Sequence, residues 1–154
     1  MSKPKSKLDY FDYSKLDLRI VEAGLTREQF AKLLGKFDRK AIGHLIENKW
    51  NPWASEFLQM SKVLKCSMRD MVELKGVKYR ELPETLDFSG SKLSFKPLRD
   101  FLDIFGISPY EVFSDTFNKG TVNKLSMDRD VNMKTIASVC KKLRIPPDHV
   151  MKLV

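Results

Sequence analysis

The nine residues FDRKAIGHL at 37–45 return as FNKGTVNKL at 117–125. In both, Phe is followed by a short acid or amide, a cation, two small or polar residues, a β-branched apolar residue, a polar pair and Leu. The offset is 80 residues. Upstream it is 82, so Asp12-Tyr13-Ser14-Lys15-Leu16 faces Ser94-Phe95-Lys96-Pro97-Leu98, and Gly24-Leu25-Thr26 faces Gly106-Ile107-Ser108. Downstream it is 79, pairing Phe57 with Ile136, Leu64 with Leu143 and Met71 with Val150. A drift of three residues over the whole unit amounts to two small length changes in turns, and the chain therefore reads as two copies of one helical unit. The first copy covers residues 11–75 and the second, more divergent, 93–154. Residues 76–92 join them, and residues 1–10, rich in Lys, Ser and Pro, read as a disordered basic N-terminus.

Within the first copy, apolar spacing predicts a helix from Tyr13 to Ala23, capped by Asp12, with Leu16, Ile20 and Val21 inward. Thr26 and Gln29 form a capping box that starts a second helix at Arg27, with Phe30, Ala31 and Leu34 on one face. Gly35 permits a tight turn, and a third helix starts near Asp38. Its apolar stripe is Ile42, Leu45 and Ile46, which leaves Arg39, Lys40, Gly43, His44 and Glu47 facing outward. Asn51-Pro52 closes this helix, and Trp53, Phe57, Met60 and Leu64 make the stripe of a fourth. Ser67 caps a short fifth helix ending near Leu74.

The run from Gly24 to Pro52 resembles the helix-turn-helix of the Cro/C1-type repressors: Leu25-Thr26, Phe30-Ala31, Gly35, Ile42, Leu45 and Asn51-Pro52 stand as in that family's pattern. It departs in two places, a turn before Ile42 one residue longer than usual and Arg27 where the family most often has Gln. The resemblance implies an all-α chain of two tandem five-helix lambda-repressor-like helix-turn-helix domains joined by a linker. It also implies a sequence-specific regulator of transcription, repressor-like and similar to those carried by phages and other mobile elements.

The second copy has its own start signals. Leu98, Phe101, Leu102 and Phe105 form the inner face of its first helix, and Ser108-Pro109-Tyr110-Glu111 reads as a capping box with Pro at the first helical position. Val112 and Phe113 pack inward, and Asn118 opens the third helix. Ile136, Val139, Cys140 and Leu143 mark the fourth, and Pro146-Pro147-Asp148 starts a last helix through Val150 and Leu153. In the join, Ser89-Gly90-Ser91 lies between Leu86-Asp87-Phe88 and Lys92-Leu93-Ser94-Phe95, which would suit a small hairpin, whereas the repeat assigns Ser94 to a helix cap.

Charge narrows the partners. Lys plus Arg number 28 and Asp plus Glu 20, a net charge of +8. The excess is shared, with 15 cations against 10 anions in residues 1–76 and 13 against 10 in 77–154. Such a chain is drawn to polyanions, whether nucleic acid, an acidic protein or an anionic membrane surface. Cys66 and Cys140 have no metal-ligand or CxxC spacing and read as free thiols of a cytoplasmic protein. There is no run of eighteen apolar residues and no signal-peptide core. The two histidines, His44 and His149, lie 105 positions apart, and no HExxH, GxSxG or GxGxxG occurs. The expectation is a non-enzyme without cofactor, metal or small-molecule substrate.

Duplex recognition needs cations against phosphates and short polar or basic side chains toward base edges. The first copy offers Arg39, Lys40 and His44 on its third helix; the second offers Asn118, Lys119, Thr121, Asn123 and Lys124. Asn pairs with adenine, while Lys and Arg favour guanine. Arg27, Lys49 and Arg129 are expected as phosphate clamps. The second copy either reads DNA or serves as a dimer contact. The rival reading is a protein-binding module whose helices grip an acidic partner, as an inhibitor or antitoxin does.

Overall fold

Apolar residues at three-to-four spacing give short amphipathic helices that bury one stripe each. The computed structural model describes residues 10–84 and 87–154. In it, α1 spans Lys15–Glu22, α2 Arg27–Leu34, α3 Arg39–Ile46, α4 Ala54–Leu64 and α5 Met68–Met71. After the join come β1 Leu93–Ser94, α6 Lys96–Ile104, α7 Pro109–Phe113, α8 Lys119–Ser126, α9 Met133–Leu143, a 3-10 turn at Pro147–His149 and β2 Lys152–Leu153. The described residues are mostly helical, consistent with the all-α expectation, with one small two-stranded sheet that it did not include. Apart from Tyr10, the N-terminal segment expected to be disordered lies outside the described residues.

The sequence repeat reappears as a repeat of bonds. Asn48, at φ 63°, accepts the backbone N–H of Tyr13 at 2.8 Å; Asp128, at φ 57°, accepts that of Phe95 at 2.7 Å. Asp12 and Glu73 exchange backbone hydrogen bonds in an antiparallel bridge, and their counterparts Ser94 and Lys152 pair in the β1–β2 ladder. Asp12 accepts the N–H of Ser14, and Ser94 accepts that of Lys96. Lys65 and Arg144, 79 residues apart, end α4 and α9 in the same left-handed conformation. Tyr13 and Phe95, Leu16 and Leu98, Ile42 and Val122, and Leu45 and Leu125 are all buried at matching positions. Each such side chain contributes on the order of 1.5–3 kcal/mol of burial.

The two repeats share one continuous core, meeting mainly through α4, α5, α9 and the 3-10 turn. Ala54 donates to Val131 at 2.7 Å and Met133 donates to Pro52 at 2.9 Å, forming an antiparallel bridge centred on Trp53 and Asn132. Ser55 adds bonds from its backbone and hydroxyl to Asp130. Residues 77–83 of the joining segment are packed rather than free. Val77, Tyr79 and Leu82 lie against the core, Arg80 bonds to the carbonyls of Leu143 and Arg144, and Arg69 holds those of Leu82 and Pro83.

Several local expectations need correction. α1 begins at Lys15, because Asp12 caps the turn at Ser14 instead of the helix. Val21, Trp53 and Phe105 point to solvent, at 65%, 46% and 54% exposure, since each lies at the edge of its helical stripe or at a helix end. The Ser67 hydroxyl does not cap α5; it is buried without a hydrogen-bond partner among the described residues, and α5 stops at Met71. Ser94 bonds to Lys96 while Phe95 takes the cap position of α6. The last expected helix is only a 3-10 turn, because the chain extends at Lys152–Leu153 to pair with β1. Among the described residues β1 pairs with β2 and not with residues 87–88 of the hairpin alternative, whose Leu86 lies outside them.

Candidate nucleic-acid interface

The first exposed two-helix unit is fixed by its caps. The Thr26 hydroxyl accepts the N–H of Gln29 at 3.1 Å, and the Gln29 side chain returns to the N–H of Thr26 at 2.9 Å. Gly35, at φ 71°, ends α2 in a conformation that costs other residues more. Asp38 then accepts the N–H of Ala41 at 2.8 Å and opens α3. Ile42 and Leu45 are buried, so Arg39 and Lys40 are left in solvent and His44 half-buried. Trp50 braces α3, its indole N–H donating to the Ala41 carbonyl at 3.0 Å and its ring 5.5 Å from Phe37.

An open groove of about 740 Å³ runs between these helices, with Arg27, Glu28 and Lys32 from α2 and Arg39, Lys40 and His44 from α3. Arg27 donates to Asp17 at 3.1 Å and lies over Gly43, where a β-carbon would stand 3.4 Å from its guanidinium. Gly43, expected outward, is therefore buried beneath an arginine. Lys49 pairs with Glu47 at 2.8 Å, and this bond holds the Glu47 carboxyl below its ordinary range. Two of the expected phosphate clamps thus already carry a carboxylate. Arg39 and Lys40 pair with no acid among the described residues.

The second unit follows the same plan with a shorter first helix. Ser108 accepts the N–H of Glu111 at 3.2 Å, but the Glu111 carboxylate takes the Ser108 hydroxyl rather than its backbone N–H, so the expected capping box closes on one side only. Phe113 is buried where the first repeat has Ala31, with Phe117 at 5.5 Å. The Asn118 side-chain oxygen accepts the N–H of Thr121 at 2.8 Å, which spends its carbonyl on the cap and leaves its amide donors. Val122 and Leu125 face inward, Thr121 is half-buried, and Lys119, Asn123, Lys124 and Arg129 are exposed. α8 contains no acidic residue.

This chain matches no family model, no curated protein and no solved structure. At the repeat offset of 80, Arg39 corresponds to Lys119, Lys40 to Gly120, Gly43 to Asn123, His44 to Lys124 and Lys49 to Arg129. The expected site residues therefore gather on two surfaces of equal construction and unequal chemistry.

Two ties escaped the sequence reading. Lys36, in the turn before α3, pairs at 2.8 Å with Glu56, whose other oxygen accepts the N–H of Trp53 at 2.8 Å. Lys142 on α9 pairs with Asp115 and Thr116 in the turn before α8, at 2.6 and 2.9 Å. Each turn is thereby fastened to the helix that follows its unit. The Trp53-to-Glu56 spacing was a readable signal for the first; nothing local marked the second. Among the described residues no helix is long and apolar enough to cross a membrane, and no group of three or more His, Cys, Asp or Glu is placed to hold a metal.

Proposed function

We propose that the chain is a sequence-specific, double-stranded DNA-binding regulator of transcription built from two tandem helix-turn-helix domains, repressor-like in acting by operator occupancy. One observation carries this reading. α3 and α8 each follow a capped helix and a tight turn, bury one apolar stripe, and present cations on a face whose own helix has no acid. A helix with its side chains is about 10–12 Å across and a DNA major groove about 12 Å wide, so such a helix fits lengthwise into the groove. Arg39, Lys40 and His44 are the readers in the first domain; Lys119, Asn123 and Lys124 are those in the second. Arg129, exposed at the end of α8, is the best placed phosphate contact.

The test is fluorescence anisotropy of the full chain with random and genomic duplex fragments across a salt series. Binding that weakens linearly in log salt, with a sequence preference above that baseline, is the expected result. No binding at low salt ends the operator reading. A protein partner is favoured by one observation: Glu28, Asp38 and Glu47 share the α2–α3 groove with the cations, and mixed charge suits a peptide surface better than a phosphate backbone.

A further inference from the structure

The contact between the repeats has a symmetry of its own. Ala54 and Met133 are equivalent, as are Pro52 and Val131, each pair being 79 residues apart. The bonds Ala54 to Val131 and Met133 to Pro52 are thus the same bond made in both directions. Trp53 faces its own counterpart Asn132 in the bridge between them. α4 packs on its counterpart α9, α5 on the 3-10 turn that replaces it, and Arg69 pairs with its counterpart Asp148. Contacts of each position with its own equivalent define a two-fold axis, the isologous arrangement of a symmetric dimer. A head-to-tail translation of one repeat onto the next would not bring equivalent residues together.

A two-fold rotation preserves direction along its axis and reverses direction across it. α3 and α8 each lead through a short connection, residues 47–52 and 127–131, to the bridge at Trp53 and Asn132, so both helices flank the same end of the axis. The axis gives their outward faces the same component along it and opposite components across it.

We infer that the two helices form one composite duplex-binding face, whose target is a single inverted repeat with unequal half-sites, occupied by one chain. This rests on the duplex-binding reading above. The inverted order follows from the axis, although a tandem duplication in sequence would suggest direct repeats. The inequality follows from the readers: Arg39, Lys40 and His44 meet one half-site, and Lys119, Asn123 and Lys124 the other. The shared core joins the two units directly through α4, α5, α9 and the 3-10 turn.

The test is selection of bound sites from a random duplex library with the full chain, followed by native mass spectrometry on the selected duplex. Expected are inverted, non-identical half-sites, one chain per duplex, and an affinity loss of at least about tenfold when half a helical turn, about 5 base pairs, is inserted between them. Arg39→Ala with Lys40→Ala relaxes preference in one half-site only, and Lys119→Ala with Lys124→Ala in the other. Direct repeats, a lone half-site, two chains on identical half-sites, or indifference to the insertion would overturn the inference while the regulator reading stands. Failure to enrich any sequence, with no salt-sensitive duplex binding, overturns both.

Discussion

Arg69 and Asp148 occupy the same position of the two repeats and grip each other across their contact, Nη2 to Oδ2 at 2.7 Å and Nε to Oδ1 at 3.0 Å. Two identical subunits would set arginine against arginine here. The Asp148 side chain is 3% exposed and the arginine 23%, so the pair is bidentate and largely out of water. Removing one partner of such a pair leaves a buried charge uncompensated and costs about 3–5 kcal/mol. Asp148→Ala and Arg69→Ala are each expected to lower the urea-unfolding free energy by that order. In a double-mutant cycle the two losses should be strongly non-additive.

Acid should loosen both repeats at matching places. Asp12 is partly buried, which pushes its carboxyl up, but bonds from Ser14, Asn48 and Lys75 bring it down to about 2. Asp128 is lowered as well, first by its bond to Arg99. A depressed carboxyl contributes stability above its unfolded value, 3.8 here, and loses it as pH falls toward the folded value. Unfolding free energy should therefore be level above about pH 5 and decline between about pH 4 and 2. Asp128→Asn keeps the acceptor for Phe95 and tolerates the left-handed backbone, so its curve should decline less over that window, measured by chemical denaturation at each pH.

Gly43 is helical and buried, yet a β-carbon there would meet only the far end of Arg27 at 3.4 Å. Gly43→Ala is expected to stabilise the chain by about 0.5–1 kcal/mol through helix propensity, with the arginine head shifting slightly. A rise in the thermal midpoint checks this. A fall would show that the guanidinium cannot give way.

Gly90 differs. A β-carbon there would strike the backbone of Leu153 and Val154, which is held by hydrogen bonds to Ser91 and Lys92. Gly90→Ala should cost about 1–3 kcal/mol and weaken the β1–β2 pairing. Amide exchange of Lys92 and Val154 would report it directly.

Glu47 is expected to restrain the proposed duplex binding, because it holds Lys49 at 2.8 Å. Glu47→Gln should free one cation, tighten binding and steepen the slope of log affinity against log salt by about one. Lys49→Ala should then change the parent protein little. An unchanged slope in Glu47→Gln would place Lys49 away from the phosphates.

Much of this arrangement was legible beforehand because it is local. The cap residues Thr26, Asp38 and Asn118 each bond to a backbone N–H three positions on, so their signals sit in consecutive residues. The repeat could be read because buried positions such as Leu16 and Leu98 keep their character. What stayed hidden depends on distant partners. β1 and β2 are two residues each, too short for any alternation, and they find each other across most of the second repeat. The burial of Gly43 needs Arg27 to fold over it, and Trp53 looked like core because apolar spacing says nothing of what covers a helix end. The Arg69–Asp148 pair becomes visible only when equivalent positions are brought face to face.

The covalent union of the two halves sets how the protein responds to its own abundance. Subunits that must first find each other lose their partner on dilution, and their activity rises steeply, as a higher power of concentration. In the one-chain mode proposed above the partner is always attached, so duplex binding should follow a simple hyperbola down to the lowest dose.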